Sequence, residues 1–248
     1  MRTRSCLMLV IATVVPAGTF AEDPAPPQVL DRALAHYDFT ATKLGQRLKY
    51  EITLDDDDEK IPFTIACIEE DADHVWIETD ATTYQSHPGT LMRFKIARKG
   101  GKILQAWWGE PGKEARSIEV TPTPEPKPGG DKLEVEGTGR VTKEVLRVKG
   151  GPFECEKVEL DIVQSSEVLS FRIRSRIWLS DEMPFVYDWH EAEYSKGIEW
   201  EGKPSCQGGM VKIEYEMTDE ANGGERLMKR TTVLVDYGFD AVPLLKVK

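Results

Sequence analysis

The residues of this chain that could do chemistry are a run of acids, four scattered histidines and four cysteines. The run is LDDDDEKI, Leu54 to Ile61, with carboxylates enough for a cation. A calcium loop of the EF-hand kind needs alternating ligands, a glycine at its sixth position and a distal glutamate, and the run has none of these. His36, His74, His87 and His190 fall on different predicted elements, so no pair is placed to hold a metal or relay a proton. His190-Glu191-Ala192-Glu193 is the one local cluster, but neighbouring side chains on a strand point to opposite sides, so its ligands do not converge. The sequence contains no GxSxG elbow, HExxH zinc helix, Walker loop or dinucleotide fingerprint. Gly208-Gly209 precedes a strand rather than a helix and so cradles no phosphate. Although a triad assembled from distant residues leaves no local trace, the chain is read as non-enzymatic, with no catalytic residue, metal or cofactor expected.

The cysteines depend on compartment. Arg2 and Arg4, the short apolar run Leu7 to Ala17 and Thr19-Phe20-Ala21 read as a secretory signal peptide over 1–21. The apolar run is shorter than the roughly 20 residues a membrane helix needs, and no other such run follows. The mature protein is therefore expected to be exported, periplasmic or extracellular, with no transmembrane segment. Removing Arg2 and Arg4 takes the formal net charge from −11 to −13. That acidity excludes nucleic acid and anionic lipid surfaces as partners and reads chiefly as what keeps the chain soluble. Cys67, Cys155 and Cys206 remain, without CxxC spacing. An odd number leaves one unpaired. Cys67 falls on the apolar face of its strand, a buried thiol, which makes Cys155 and Cys206 the expected disulfide.

Residues 22–27 are a Pro-rich N-terminus expected to be disordered, and 28–248 read as one β domain. Val29, Leu30, Ala33, Leu34, Tyr37 and Ala41 recur at three-to-four spacing, which predicts an amphipathic helix over 28–43 ended by Gly45. From there the period is two. Tyr50, Ile52 and Leu54 alternate, as do Ile61, Phe63, Ile65 and Cys67. Pairing Leu54 with Ile61 and Tyr50 with Ile65 makes the acidic run the tip of a hairpin. A second hairpin joins FECEKVELDIV to VLSFRIRSRIWLS, with Val163 opposite Val168, Leu160 opposite Phe171 and Glu159 opposite Arg172. Arg172, Arg174 and Arg176 could form an anion-binding stripe, but the neighbouring acids favour self-neutralisation. Val211, Ile213, Tyr215 and Met217 share one face of a late strand. Residues 121–131 are a Pro/Gly-rich loop. The expected fold is mainly β (α+β): a large curved antiparallel sheet or incomplete β-barrel with one N-terminal helix packed on it.

The ordered phrases LGQRLKYEI, HVWIETD, VKGGPFECEKVEL, IWLSDEMP, GGMVKIEYE and VLVDYG resemble exported bacterial proteins related to the LolA/LolB-type lipoprotein-carrier fold. The resemblance implies an unclosed barrel with a helix over its concave apolar face, which holds acyl chains of lipids or lipoproteins without catalysis. It transfers no ligand residue by motif. The chain departs from the pattern at an aromatic-rich insert over 185–207, containing Phe185, Tyr187, Trp189, Tyr194, Ile198 and Trp200. This insert reads either as an extra hairpin packed on the chain's own core, slightly favoured, or as a lid or partner-docking surface. The functional expectation is an exported binding protein for a hydrophobic small molecule, lipid or lipoprotein. Its ligand-binding candidates are Tyr50, Ile52, Phe63, Phe171, Tyr187, Trp189 and Trp200, with Ile65 and Ile173 further along the same lining. The alternative is an envelope protein–protein interaction module that uses the insert. An exported hydrolase stands third.

Overall fold

The computed structural model describes residues 27–34, 37–55, 59–80, 89–124, 134–166, 169–187, 197–221 and 223–247. The expected signal peptide, His36, His87, His190 and Trp189 lie outside them. Sixteen strands are described: β1 (Val29–Leu30), β2 (Tyr37–Asp38), β3 (Arg47–Leu54), β4 (Lys60–Glu70), β5 (His74–Asp80), β6 (Leu91–Ala97), β7 (Ile103–Gly109), β8 (Arg116–Ile118), β9 (Val120–Thr121), β10 (Glu134–Val148), β11 (Gly151–Ser165), β12 (Ser170–Ser180), β13 (Val186–Tyr187), β14 (Ile198–Glu201), β15 (Gly209–Asp219) and β16 (Glu225–Gly238). Fourteen of them form one sheet. Its main path runs β14-β10-β11-β12-β15-β16-β3-β4-β5-β6-β7-β8, and β2 and β13 attach beside it. Neighbours on the path pair antiparallel except β14, which lies parallel to β10. The path ends in two edges, at β14 and β8, and does not close into a barrel.

The fold is all-β among the described residues, which overturns the expected α+β class and its N-terminal helix. The segment meant to be helical finds its backbone partners in other strands instead. β1 pairs parallel with β9. The Asp31 amide donates to Thr121 O at 2.9 Å and the Ile103 amide to Asp31 O at 2.8 Å. Asp31 also accepts through its carboxylate from the Thr123 amide and hydroxyl. Further on, β2 pairs with β13. Val29, Leu34, Tyr37 and Phe39 still reach the core, but as separate side chains of an irregular cover rather than as one helical stripe. Gly45 ends no helix. It sits at φ 87°, and an added Cβ would meet Phe239 O at 2.7 Å, so the position is closed to other residues.

Both expected hairpins form, in shifted registers. β3 and β4 pair Leu48 with Ile65, Tyr50 with Phe63 and Ile52 with Ile61, two residues from expectation. The acidic tip widens because Asp55 leaves the hairpin for β16: its amide donates to Lys229 O at 2.6 Å, and its carboxylate accepts from the Lys229 amide. β11 and β12 pair Val158 with Ile177, Leu160 with Ser175 and Glu159 with Arg176, four residues from expectation. Even-numbered shifts keep every side chain on its predicted face.

Candidate functional site

Register carries one apolar face through both halves of the sheet. One row across it reads Val141, Val158, Ile177, Ile213, Thr232, Ile52 and Ile61. A parallel row reads Trp200, Gly139, Leu160, Ser175, Tyr215, Arg230 and Leu54. The face is closed toward β5, β6 and β7, where Val75, Ile77, Met92, Phe94, Ile96 and Ile103 are buried. Toward β11, β12 and β15 burial is mixed: Val158, Ile162 and Ile177 are buried, while Leu160, Ile173, Ile213, Tyr215 and Met217 are half-buried.

The opposite face of β10, β11, β12 and β15 is charged. Arg172 donates to both Asp161 carboxylate oxygens at 2.7 and 2.8 Å. Arg174 reaches Asp161, and Arg176 reaches Glu159 and Glu214. The Arg172 hydrogen bonds hold the Asp161 carboxyl below the usual range, and the Lys157 hydrogen bond does the same for Glu159. The arginine ladder is thus self-neutralised. Trp178, the large apolar side chain on this face, lies under Lys157 and Lys212 and donates its indole N–H to Glu144 at 2.6 Å.

The predicted ligand residues fall into three places. Tyr50 and Ile52 belong to the packed core, and Phe63 stacks on Tyr50 at 6.3 Å. The Tyr50 hydroxyl donates to Met210 O at 2.8 Å, so the ring is anchored rather than free to line a cavity. Burial pushes its pKa well above the ordinary value. Tyr187 meets Tyr37 edge-on at 5.7 Å, in the β2–β13 flap. Trp200 is far away at the β14 edge, where its ring lies over Gly139. A Cβ at Gly139 would stand 2.5 Å from that ring, so glycine is what admits the indole. Phe171 is opposite Gln164 and Asp219, at the end of β12. The described flanks of the insert therefore pack on the chain's own sheet.

The expected disulfide is corrected: Cys67, Cys155 and Cys206 are buried free thiols. Side-chain direction is the reason. β11 turns Glu156, not Cys155, toward the Cys206 loop, and consecutive side chains on a strand face opposite ways. The Glu156 carboxylate accepts from the Ser205 amide and hydroxyl and from the Cys206 amide. Cys206 Sγ lies 3.2 Å from Asp181 Oδ1 and accepts from the Gly208 amide. Burial pushes the Cys67 and Cys155 thiols up to about 11 and Cys206 to about 12, the last with help from the Asp181 carboxylate, so none is poised as a nucleophile.

Among the described residues no three His, Cys, Asp or Glu side chains gather as a metal site. His74 is engaged by Asp71, at 3.0 Å from Nδ1. Two surface hollows stand out among the described residues. A cleft of about 250 Å³ is lined by Asp38, Gln46, Asp181, Met183, Phe185 and Phe239, among others. A shallower one of about 440 Å³ lies on the charged face between Glu136 and Arg172. Neither contains the predicted ligand residues.

Arg230 was missed in the sequence. It stands on the apolar phase of β16, with Met228, Thr232 and Leu234. The signal was there: an arginine in step with strand positions that otherwise go inward.

No family model matches the chain, and no curated protein matches it. Two solved structures are similar over 82% of it, each along 99% of its own chain and at 11% identity. One, at a TM-score of 0.33, is a candidate lipoprotein of Parabacteroides distasonis. The other, at 0.31, is a candidate exported protein of Bacteroides fragilis with a YmcC-like fold. At such identity and TM-scores neither speaks to the function of this chain.

Proposed function

We propose that this chain is an exported, non-enzymatic binding protein that lays an acyl chain, of a lipid or lipoprotein, along the half-buried apolar face of β11, β12, β15 and β16. The observation that carries the reading is the uneven completion of one face. Its β5–β7 end is sealed by the chain's own side chains; at the other end Val158, Ile162 and Ile177 are buried as well, but Leu160, Ile173, Ile213, Tyr215 and Met217 keep part of their surface toward water. Apolar side chains left partly uncovered on a sheet face support a binding surface there. The charged side of the same strands is ruled out for such a ligand, because its ion pairs are satisfied within the sheet. Export rests on the n-region, apolar run and cleavage pattern of residues 1–21.

The test is organic extraction of the protein purified from its host's envelope fraction, followed by lipid mass spectrometry. A stoichiometric acyl compound is expected, and it should be lost in Ile173→Asp, which sets a carboxylate on the open face. An extract with no acyl compound, from protein that retains its fold, overturns the reading.

A further inference from the structure

The 250 Å³ cleft beside the β2–β13 pair is lined by three carboxylates, those of Asp38, Asp181 and Glu182. Carboxylates elsewhere in the sheet are matched by arginines: Glu78 by Arg93, Asp161 by Arg172, Asp236 by Arg47. The cleft differs. No lysine or arginine lines it, and among the described residues none of its three carboxylates forms an ion pair. Asp38 gives one oxygen to the Thr40 amide at 2.8 Å, and Asp181 gives one to the Gln207 amide at 3.0 Å and the Cys206 thiol. Thr42 adds an observation of another kind. It lines the same cleft and is 3% exposed. Its amide donates to Phe39 O at 3.2 Å, and its carbonyl accepts from Arg98 Nη1 at 2.7 Å. Among the described residues its hydroxyl has no hydrogen-bond partner, and it is the polar group Thr42 has left to offer the cleft. A buried hydroxyl without a partner is costly and calls for one.

The walls are held by the fold. Asp38 pairs with Val186 across β2 and β13, and Val186 pairs in turn with Gly209 of β15. The Met183 amide donates to Ser180 O at 3.0 Å and the Gly209 amide to Met183 O at 3.2 Å, which fixes the turn that carries Asp181 and Glu182. Phe239, 67% exposed, is set by its backbone contact with Gly45. Met183 and Phe185 supply buried apolar lining. Three uncompensated carboxylates exclude an anion. They do not gather with one another closely enough to hold a metal ion. What suits them is positive charge distributed over several donors and carried on an apolar stem. A guanidinium has five N–H donors in one plane and an ammonium has three. Aromatic faces such as that of Phe239 attract the same groups.

We infer that this cleft binds an organic cation, a guanidinium or primary ammonium on an aliphatic stem, with Asp38, Asp181 and Glu182 accepting from its N–H groups and Met183, Phe185 and Phe239 against its stem. Charge-assisted hydrogen bonds to a carboxylate are the stronger kind, and walls fixed in advance cost little to order on binding. A free cation and the arginine or lysine side chain of a peptide share this chemistry. The cleft contains none of the half-buried residues of the apolar face, so the inference stands apart from the acyl reading.

The experiment titrates the protein with Nα-acetyl-arginine methylamide and, separately, with its citrulline counterpart, which has a neutral urea in place of the guanidinium, and follows backbone amide shifts by NMR. Saturable shifts centred on 38–46 and 181–186 are expected, with the arginine compound binding about tenfold more tightly. Glu182→Gln should cut that preference about threefold and leave the melting midpoint in place, because the Glu182 side chain is exposed. Asp38→Asn, which keeps an oxygen for the Thr40 amide, should act in the same direction and checks the first variant. Phe239→Ala should weaken both compounds alike. Butylguanidine, the same cation on its stem without peptide groups, separates the sources: binding as tight as that of the arginine compound assigns a free cation, and weaker binding assigns a side chain within a peptide. Equal affinity for the arginine and citrulline compounds overturns the inference. So does an absence of binding, and so do shifts that spread over the acidic surface without saturating.

Discussion

Across β5, β6 and β7, the side chains on the apolar face are buried: Val75, Ile77, Met92, Phe94 and Ile96. At corresponding places on β11, β12 and β15, Leu160, Ile173, Tyr215 and Met217 are of the same chemical kind and remain half-buried. Charge follows the same division. The first region holds a buried arginine, Arg93, against Glu78 with side chains 8% and 5% exposed. The second holds Arg230 with no ion pair among the described residues. One region has been finished as core, with its charge neutralised on site. The other mixes buried side chains, Val158, Ile162 and Ile177, with half-buried ones, and its Arg230 donates to Thr232 rather than to a carboxylate. The difference shows that this face is closed unevenly: fully across β5–β7, and only in part across β11, β12 and β15.

The largest effect should come from breaking the neutralised charge. Glu78 accepts from Arg93 Nε and Nη2, and also from the Leu244 and Leu245 amides. It therefore pins the C-terminal segment to β5. Glu78→Ala strands the Arg93 guanidinium and releases two amides, with an expected loss of about 3–5 kcal/mol. Glu78→Met combined with Arg93→Met should lose less than either single change, because neither charge is then left buried alone. Urea unfolding of Glu78→Met, Arg93→Met and their double variant, beside Glu78→Ala, checks this. Strictly additive losses would show that the pair is not coupled and would remove the contrast with Arg230.

The next effect compares like with like. Ile77→Ala in the closed region empties a packed site and should cost about 2–5 kcal/mol. Ile173→Ala in the open region removes a side chain already partly in water and should cost about 1 kcal/mol. The acyl compound extracted with the protein should respond the other way round, falling in Ile173→Ala and staying unchanged in Ile77→Ala protein that remains folded. Equal stability losses would mean that the second region is as tightly closed as the first.

Much of this was legible from alternation. Tyr50, Ile52, Ile65, Ile213, Tyr215 and Met217 face the way period two places them, and the cross-face ion pairs of Asp161 and Glu159 follow from the same count. Register was not legible to the residue, because alternation is unchanged by any shift of two or four. What chose among the shifts was tertiary: Asp55 bonding to Lys229 of β16 widened the first tip. The N-terminal helix failed for a related reason. Its apolar spacing was real, but β9, β13 and the Ile103 amide offered the backbone partners outside the segment, which a single-segment reading does not see. The thiols failed because the direction of Glu156, next to Cys155, is set by the sheet. Arg230 was readable, and its meaning was not, since an arginine on an inward phase acquires significance only when its partners have been counted.

The smallest expected effect sharpens the comparison most cleanly, because it repeats the arginine–carboxylate chemistry of Glu78 and Arg93 on the outside of the second region. Arg172 and Asp161 form a two-pronged bridge, but their side chains are 37% and 38% exposed. Solvent screens such a pair, so Arg172→Ala should cost less than about 1 kcal/mol near neutral pH, a small part of the Glu78→Ala loss. Its pH dependence has a definite sign. The Arg172 hydrogen bonds lower the folded-state pKa of Asp161, while the unfolded chain titrates near about 3.9. The bridge therefore stabilises the fold at pH values above that point, and its contribution falls away as acid protonates Asp161 below it. Unfolding curves of the parent and Arg172→Ala should be separated at neutral pH and converge as acid carries the pH down through the lowered folded-state pKa of Asp161. Raising the ionic strength should narrow the neutral-pH gap as well, since exposed charges are screened. A gap that persists in acid would place the role of Arg172 in packing rather than charge, and the two regions would then differ in burial alone.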